Sequence, residues 1–286
     1  MKFEDWHTHN SLCKHAIGSV EDYIIEAIKK KLNIIGVSGH FPYEFLLESF
    51  PDIRGVPFEE YAMKMDEING YLSNLEHLKE KNKQAIQIRI GFEIEFIENQ
   101  VKYLNNYLKK YVTRLDYIIG SVHFLRESDG LFAFDDLKSI EKYKNYKSID
   151  IIFLQYYKIL QSMIKSTDFN FDIIGHFDLP KKFNKKAENK EIVMNEVLSV
   201  LELIKKRKTT IELNTSGFRR PIKEQYPSLE ILNEVYNLDI SVLLGSDAHH
   251  PDEIAFNFKS ALEILKKIGF TKLARFENRR KSFVDI

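Results

Sequence analysis

The sequence predicts a single-domain α/β protein in which seven βα units close, or nearly close, into a TIM-like barrel. Short apolar runs of strand length alternate with helical patterns along the whole chain, as a parallel sheet with crossover helices requires. Nearly every run ends in a histidine or a carboxylate, and parallel barrels gather their active-site side chains at the C-terminal ends of their strands. A length of 286 residues with 44% apolar content is what one such domain needs. An open doubly wound sheet is the alternative, but it holds its ligand at a single topological switch point. Ligand-bearing residues at almost every strand exit require those exits to converge.

The seven runs span residues 3–9, 34–40, 88–93, 117–123, 171–176, 210–214 and 242–249. Helical patterns fill the gaps. The first, 23–31, follows an N-cap at Ser19 and acidic first-turn residues Glu21 and Asp22. The others are 59–81, 100–112, 139–164, 190–206, 228–238 and 252–268. With 12 glycines, 7 prolines and no linker-like stretch, no domain boundary shows, and residues 1–286 are expected to form one domain. The segment 41–58, with three prolines, Phe45, Phe50 and Arg54, exceeds the short-loop norm. It reads equally as a lid or specificity wall and as a packed surface excursion.

Composition excludes several classes. The 42 basic and 42 acidic residues balance, so no global field favours nucleic acid or an anionic membrane. No apolar run approaches the ~20 residues of a membrane span, and no secretory leader pattern shows at the start. The lone Cys13 cannot form an internal disulfide, which suits a reducing cytoplasm. A cytoplasmic protein acting on a small molecule is expected.

The strand exits carry the chemistry. His7 and His9 stand at i and i+2, which a strand directs to one side. Asp247 and His249 repeat that spacing at the far end of the chain, and the first and last strands of a barrel are neighbours. Glu93, with Glu95 two residues on, sits in an otherwise apolar run, where a carboxylate is costly unless paired or metal-bound. His40, His123 and His176 end three further runs, and His15 follows the first. Any one alone would read as a satisfied core histidine. His77 reads as solvated surface, His250 as facing away, and Cys13 as a small buried residue rather than a soft ligand. Ten candidate ligands exceed one ion, since zinc takes about four. Two or three divalent ions follow, and imidazole-rich sites suit Zn, Fe or Mn alike. Basic residues beyond the exits suggest a phosphate grip: Arg219, set just past the turn that begins at Asn214, then Lys181 and Lys182, and Arg126.

Taken in order, Asp5-Trp6-His7-Thr8-His9, His15-Ala16, Ser38-Gly39-His40, Gly91-Phe92-Glu93, Gly120-Ser121-Val122-His123, Gly175-His176-Phe177-Asp178, Glu212-Leu213-Asn214-Thr215-Ser216-Gly217 and Gly245-Ser246-Asp247-Ala248-His249 resemble the PHP (polymerase and histidinol phosphatase) family, its histidinol-phosphatase branch above all. The resemblance implies a distorted (β/α)7 barrel and a trinuclear metal centre. It implies one metal on His7, His9, Glu93 and Asp247, a second on Glu93, His123 and His176, and a third on His15, His40 and His249. It is also what selects Glu93 over Glu95.

The implied reaction is hydrolysis of L-histidinol phosphate to L-histidinol and phosphate, by attack of a metal-activated hydroxide on phosphorus. Asp247 or His249 would protonate the leaving group and Arg219 would neutralise phosphoryl charge. Arg219, Asn214, Lys181 and Arg54 are the expected substrate-binding residues. The alternatives keep the metals and change the rest: a phosphoesterase for another phosphomonoester, nucleotide or phosphoprotein, or a metal-binding regulatory protein. Amidohydrolases also open on His-x-His, but no lysine occupies the mid-barrel exit where many of them place one.

Overall fold

The computed structural model describes residues 3–44, 46, 60–127 and 130–286, with no side-chain description at 138–140 and 142. Its strands are β1 (Glu4–Asp5), β2 (Ile34–Val37), β3 (Gln87–Glu95), β4 (Tyr117–Ser121), β5 (Phe124–Glu127), β6 (Gly130–Ala133), β7 (Ile173–Ile174), β8 (Thr210–Asn214), β9 (Val242–Gly245), β10 (Lys272–Glu277) and β11 (Arg280–Asp285). Seven of them form one parallel sheet in the order β1-β2-β3-β4-β7-β8-β9, so the seven apolar runs of the sequence are its seven strands. The sheet closes where its ends meet. Trp6 N donates to Leu244 O at 3.0 Å, Asp247 N to His7 O at 2.8 Å and His9 N to Ala248 O at 2.9 Å. The architecture is a nearly closed, seven-stranded barrel in a single domain.

The helices are α1 (Val20–Lys29), α2 (Ile68–Asn82), α3 (Val101–Leu108), α4 (Asp150–Lys165), α5 (Lys190–Arg207), α6 (Leu229–Asn237) and α7 (Phe258–Ile268). Ser19 caps α1 through a full capping box with Asp22, as the sequence predicts. Five helices begin later than the polar–apolar pattern suggests, α6 by the single residue Ser228 that caps it. The 59–81 pattern holds a 3-10 turn at Met65–Glu67 before α2, and 139–164 holds the 3-10 stretch Leu137–Asn145 before α4. The 252–268 pattern holds a 3-10 turn at Pro251–Glu253 before α7. Val101 opens the fifth, α3, one residue late and the helix ends at Leu108, four residues short of the pattern.

Two antiparallel hairpins, β5–β6 and β10–β11, were not expected from the sequence. β10–β11 seals the bottom of the barrel. Phe276 and Ala274 join Trp6, Ile34, Tyr117, Ile119, Ile173 and Leu243 in a core cluster. Trp6 meets Tyr117 edge-on at 5.4 Å and Phe276 at 6.2 Å. The Tyr117 ring needs the room that two glycines leave: a Cβ on Gly36 would lie 2.4 Å from its hydroxyl, and one on Gly91 would lie 2.6 Å from Cζ. Polar ties fasten the hairpin to the strand entrances. Arg275 Nε donates to Glu4 Oε2 at 2.8 Å, Asn278 N donates to Asp116 Oδ1 at 3.1 Å, and the Arg279 guanidinium pairs with Asp172.

Phe276 is therefore expected to contribute as a core aromatic. Phe276→Ala should lower the unfolding free energy by about 3–5 kcal/mol, the usual cost of emptying such a site. A denaturant titration of the purified variant measures it, and a midpoint equal to wild type would contradict the sealing role.

Candidate metal centre

The upper ends of the strands aim their side chains at one carboxylate. Glu93, on β3 and 1% exposed, lies with Oε2 3.1 Å from His7 Nε2, 3.3 Å from His9 Nε2 and 3.3 Å from His40 Nδ1. Its Oε1 lies 2.8 Å from His176 Nε2 and 3.6 Å from His123 Nε2. Asp247 Oδ1 reaches His9 Nε2 at 3.2 Å and His7 Nε2 at 3.8 Å. His249 and His15 complete the group, their Nε2 atoms 2.9 Å apart. All nine predicted ligands thus assemble from six strand exits and the loop after the first. Three overlapping groups have their donor atoms within 4.8 Å of one another: His7, His9 and Glu93; Glu93, His123 and His176; His9, His40 and His249.

The donor chemistry fits divalent ions. His15 Nδ1 lies 2.7 Å from Cys13 O and His249 Nδ1 lies 3.0 Å from Asp247 O. A carbonyl only accepts, so both Nδ1 atoms carry the proton and both Nε2 atoms present lone pairs. Two lone pairs facing each other at 2.9 Å repel unless a cation lies between them. Nitrogens sharing one ion at ~2.1 Å are roughly 3–3.4 Å apart, close to this separation. His7 Nδ1 is held by Glu212 Oε1 at 2.8 Å, and His123 Nδ1 by Glu95 Oε2 at 2.7 Å. These are the carboxylate–histidine pairs that orient imidazoles toward a metal and raise their basicity.

Charge points the same way. Burial alone would raise the Glu93 pKa, but His7, His40 and His176 hold it well below the usual carboxylate range. Burial would likewise lower His7, yet Glu212 and Glu93 hold it well above the usual imidazole value, the pull of negative charge that a cation at this point would balance. Burial drives His40 and His249 well below that value, aided by neighbouring histidines, and leaves them neutral as ligands must be.

The structure separates the two carboxylates of β3. Glu93 touches five histidines, whereas Glu95 supports His123 alone, its Oε1 also accepting from His123 N at 2.9 Å. Glu212 carries as much of the site and was not singled out from sequence. It is fully buried, and its Oε2 accepts from His176 N at 2.8 Å and from Asn214 Nδ2 at 3.0 Å. The signal was present: a carboxylate inside the apolar run 210–214, the same argument that picked out Glu93. Gly245 makes room for it, since a Cβ there would lie 1.8 Å from Glu212 Oε1.

A cavity of about 670 Å3 opens onto the cluster, with His40, Glu93, His123, His176, Asp247 and His249 in its wall. Arg219 also borders it, anchored by Nη2 to Ser246 O at 2.9 Å and Asp247 O at 3.1 Å, and by Nε to Glu253 Oε1 at 3.1 Å. Asn214 instead lies beneath the ligands, donating to Glu212 and, at 3.4 Å, to Asp247 Oδ2. Lys181 is buried between Asp178 (3.1 Å) and Glu224 (2.8 Å), and its neighbour Lys182 borders the cavity, paired with Asp135 at 2.8 Å. Arg54, and most of the 41–58 segment, lie outside the described residues. Tyr43 of that segment lines the cavity. His77 is exposed and Cys13 is buried with Sγ 3.4 Å from His9 Nδ1. His250 borders the cavity but keeps its Nδ1 on Asp252 N, at 3.2 Å.

A sequence model of the PHP domain matches residues 5–216. The chain belongs to the PHP family. It is 28% identical over 271 residues to the histidinol-phosphatase of Bacillus subtilis, a match covering 92% of this chain and 99% of that protein. The fold superimposes with a TM-score of 0.81 on a Listeria monocytogenes protein provisionally described as a histidinol phosphatase, at 25% identity and over 90% and 99% of the two chains. It also matches the Lactococcus lactis histidinol phosphate phosphatase, crystallised with Zn, L-histidinol and phosphate, with a TM-score of 0.75 at 21% identity over 98% and 99% of the two chains.

If Glu212 orients His7, then Glu212→Gln should weaken metal binding about 10- to 100-fold, the usual effect of losing such a partner. Competition with a chromophoric chelator measures this. Unchanged affinity would reduce Glu212 to a packing role.

Proposed function

We propose that the protein is a metal-dependent phosphomonoester hydrolase that converts L-histidinol phosphate to L-histidinol and inorganic phosphate. The observation that carries the reading is the convergence of nine candidate ligand side chains, seven of them in the wall of one cavity, with Arg219 anchored against Asp247. Family membership and the histidinol-phosphatase relatives support it. Glu60, Asp135 and Asp136 line the same cavity and suit a substrate that bears an ammonium group.

The centre is read as holding two to three divalent ions, Zn, Fe or Mn. His7, His9, Glu93 and Asp247 would hold one, Glu93, His123 and His176 a second, and His15, His40 and His249 a third. When bound, such ions supply Lewis acidity and bring the pKa of a coordinated water toward ~7. The chain's own residues do the rest. Arg219 stabilises negative charge on the phosphoryl oxygens. Asp247 or His249 would take the proton that the attacking water loses and pass it to the leaving alkoxide. Asn214 and Glu212 keep Asp247 and His7 in place. Water attacks phosphorus directly, because no Asp or Ser nucleophile motif stands out in the sequence. Among the described residues no helix is long and apolar enough to cross a membrane, and the single buried Cys13 fits a cytoplasmic setting.

The reading is checked by steady-state rates on histidinol phosphate against a panel of phosphomonoesters. Chelation should abolish turnover and the metal should restore it. One solvent oxygen should enter phosphate in isotopically labelled water, and a trapped phosphoenzyme would overturn the mechanism. Arg219→Ala should lower kcat/KM on the order of 100-fold, the scale of removing one donor to developing charge. A second phosphomonoester turned over faster than histidinol phosphate would move the assignment to another branch of the family.

A further inference from the structure

Buried polar atoms are nearly always hydrogen-bonded, so each exception calls for an explanation. Among the described residues, four such unpartnered atoms belong to side chains that border the cavity: His40 Nδ1, His176 Nδ1, Arg219 Nη1 and the Tyr226 hydroxyl. The first two are on ligand imidazoles. The other two are hydrogen-bond donors: Arg219, whose Nη2 holds Asp247 O at 3.1 Å, and Tyr226, which has no part in the ligand set.

Tyr226 is held with unusual firmness for a residue whose polar atom bonds to nothing. Its backbone pairs with the end of β8, Asn214 N donating to Tyr226 O at 2.7 Å and Tyr226 N to Asn214 O at 2.9 Å. Its ring packs against Gly217, where an added Cβ would lie 3.1 Å from Cε2, and Lys181 Nζ sits 5.5 Å from the ring centroid. The ring is fully buried. Burial pushes the phenol pKa up against the opposing pull of Arg220, so the hydroxyl keeps its proton and can only offer it or accept one. A fixed, protonated donor with no acceptor in the protein is costly to keep unless an acceptor arrives from outside.

We propose that Tyr226 is a substrate-contacting residue, its hydroxyl donating, together with Arg219 Nη1, to a phosphoryl oxygen of the bound ester. The proposal rests on the phosphomonoesterase reading above and adds to it a neutral donor at the phosphate subsite. Two donors, one charged and one neutral, can take different oxygens of the phosphoryl group. The hydroxyl adds direction without adding a second desolvated charge beside Asp247.

The test is Tyr226→Phe in the metal-loaded protein. Because the hydroxyl has no partner in the protein, its loss should leave the melting temperature and metal content equal to wild type or slightly higher. Affinity for inorganic phosphate, measured by titration calorimetry, should fall about 10-fold, and kcat/KM for the ester should fall with it. Unchanged phosphate affinity overturns the proposal. So does a variant that loses metal or melts lower, because the hydroxyl would then belong to the scaffold. A wild-type protein that does not bind phosphate overturns the subsite as well. Wild-type protein that binds phosphate but fails to hydrolyse histidinol phosphate removes the substrate assignment and leaves the Tyr226 contact standing.

Discussion

The structure depends on one buried charge. Glu93 is taken out of water in the middle of a barrel, a step that costs several kcal/mol unless the charge is compensated. No single neighbour compensates it. Five imidazoles from four other segments surround its two oxygens, and Ser121 Oγ donates to Oε1 at 2.6 Å. Two of these imidazoles are aimed by carboxylates of their own, Glu212 for His7 and Glu95 for His123, and Cys13 O orients the nearby His15 in the same way. Those partners need space and support in turn, which explains Gly245 beside Glu212 and Asn214 beneath it. The upper half of the barrel is a polar network built outward from one carboxylate, and the lower half, around Trp6 and Tyr117, is its apolar counterweight.

Backbone geometry contributes at two of the ligands. His176 has a φ of 23° and Asp247 a φ of 52°, both in the left-handed region that side chains other than glycine seldom adopt. Each follows the last residues of a strand and turns its side chain back over the strand end. That conformation is disfavoured locally and is held by bonds from elsewhere, Glu212 to His176 N and His7 O to Asp247 N. The strain is thus concentrated where the network is densest.

Much of this was legible in the chain. Short apolar runs ending in histidine or carboxylate pointed to the strands and to the candidate ligands, because a barrel turns each strand exit inward, while the grouping of those candidates around metals came from the family resemblance. The choice between Glu93 and Glu95 was open on alternation alone, since both face the same way. Depth decides it, and depth is set by the register of β3 against its neighbours. Lys181 and Lys182 illustrate a similar limit: adjacent basic residues after one exit go to opposite environments, one to Asp178 and Glu224, the other to the cavity. Asn214 seemed placed for phosphate and instead braces carboxylates. The C-terminal hairpin escaped notice because its strands are rich in charged residues and end in no candidate ligand. Its task, closing the barrel floor through Phe276, is defined mostly by residues more than a hundred positions away, Trp6, Ile34, Tyr117, Ile119 and Ile173 among them.

The seam between β1 and β9 has a consequence for biogenesis. Residues that share the centre lie at both extremes of the chain, His7 and His9 at one, Asp247 and His249 at the other, and they are joined through backbone bonds such as Asp247 N to His7 O. A nascent polypeptide emerging from the ribosome can form six strands and most of its helices while the metal cage still lacks a wall. With the proposed ligands, tight ion capture would come at the end of synthesis, when the last strand docks against the first. An ion held by both pairs, as proposed, would bridge the two ends much as a staple does and resist the separation of β1 from β9.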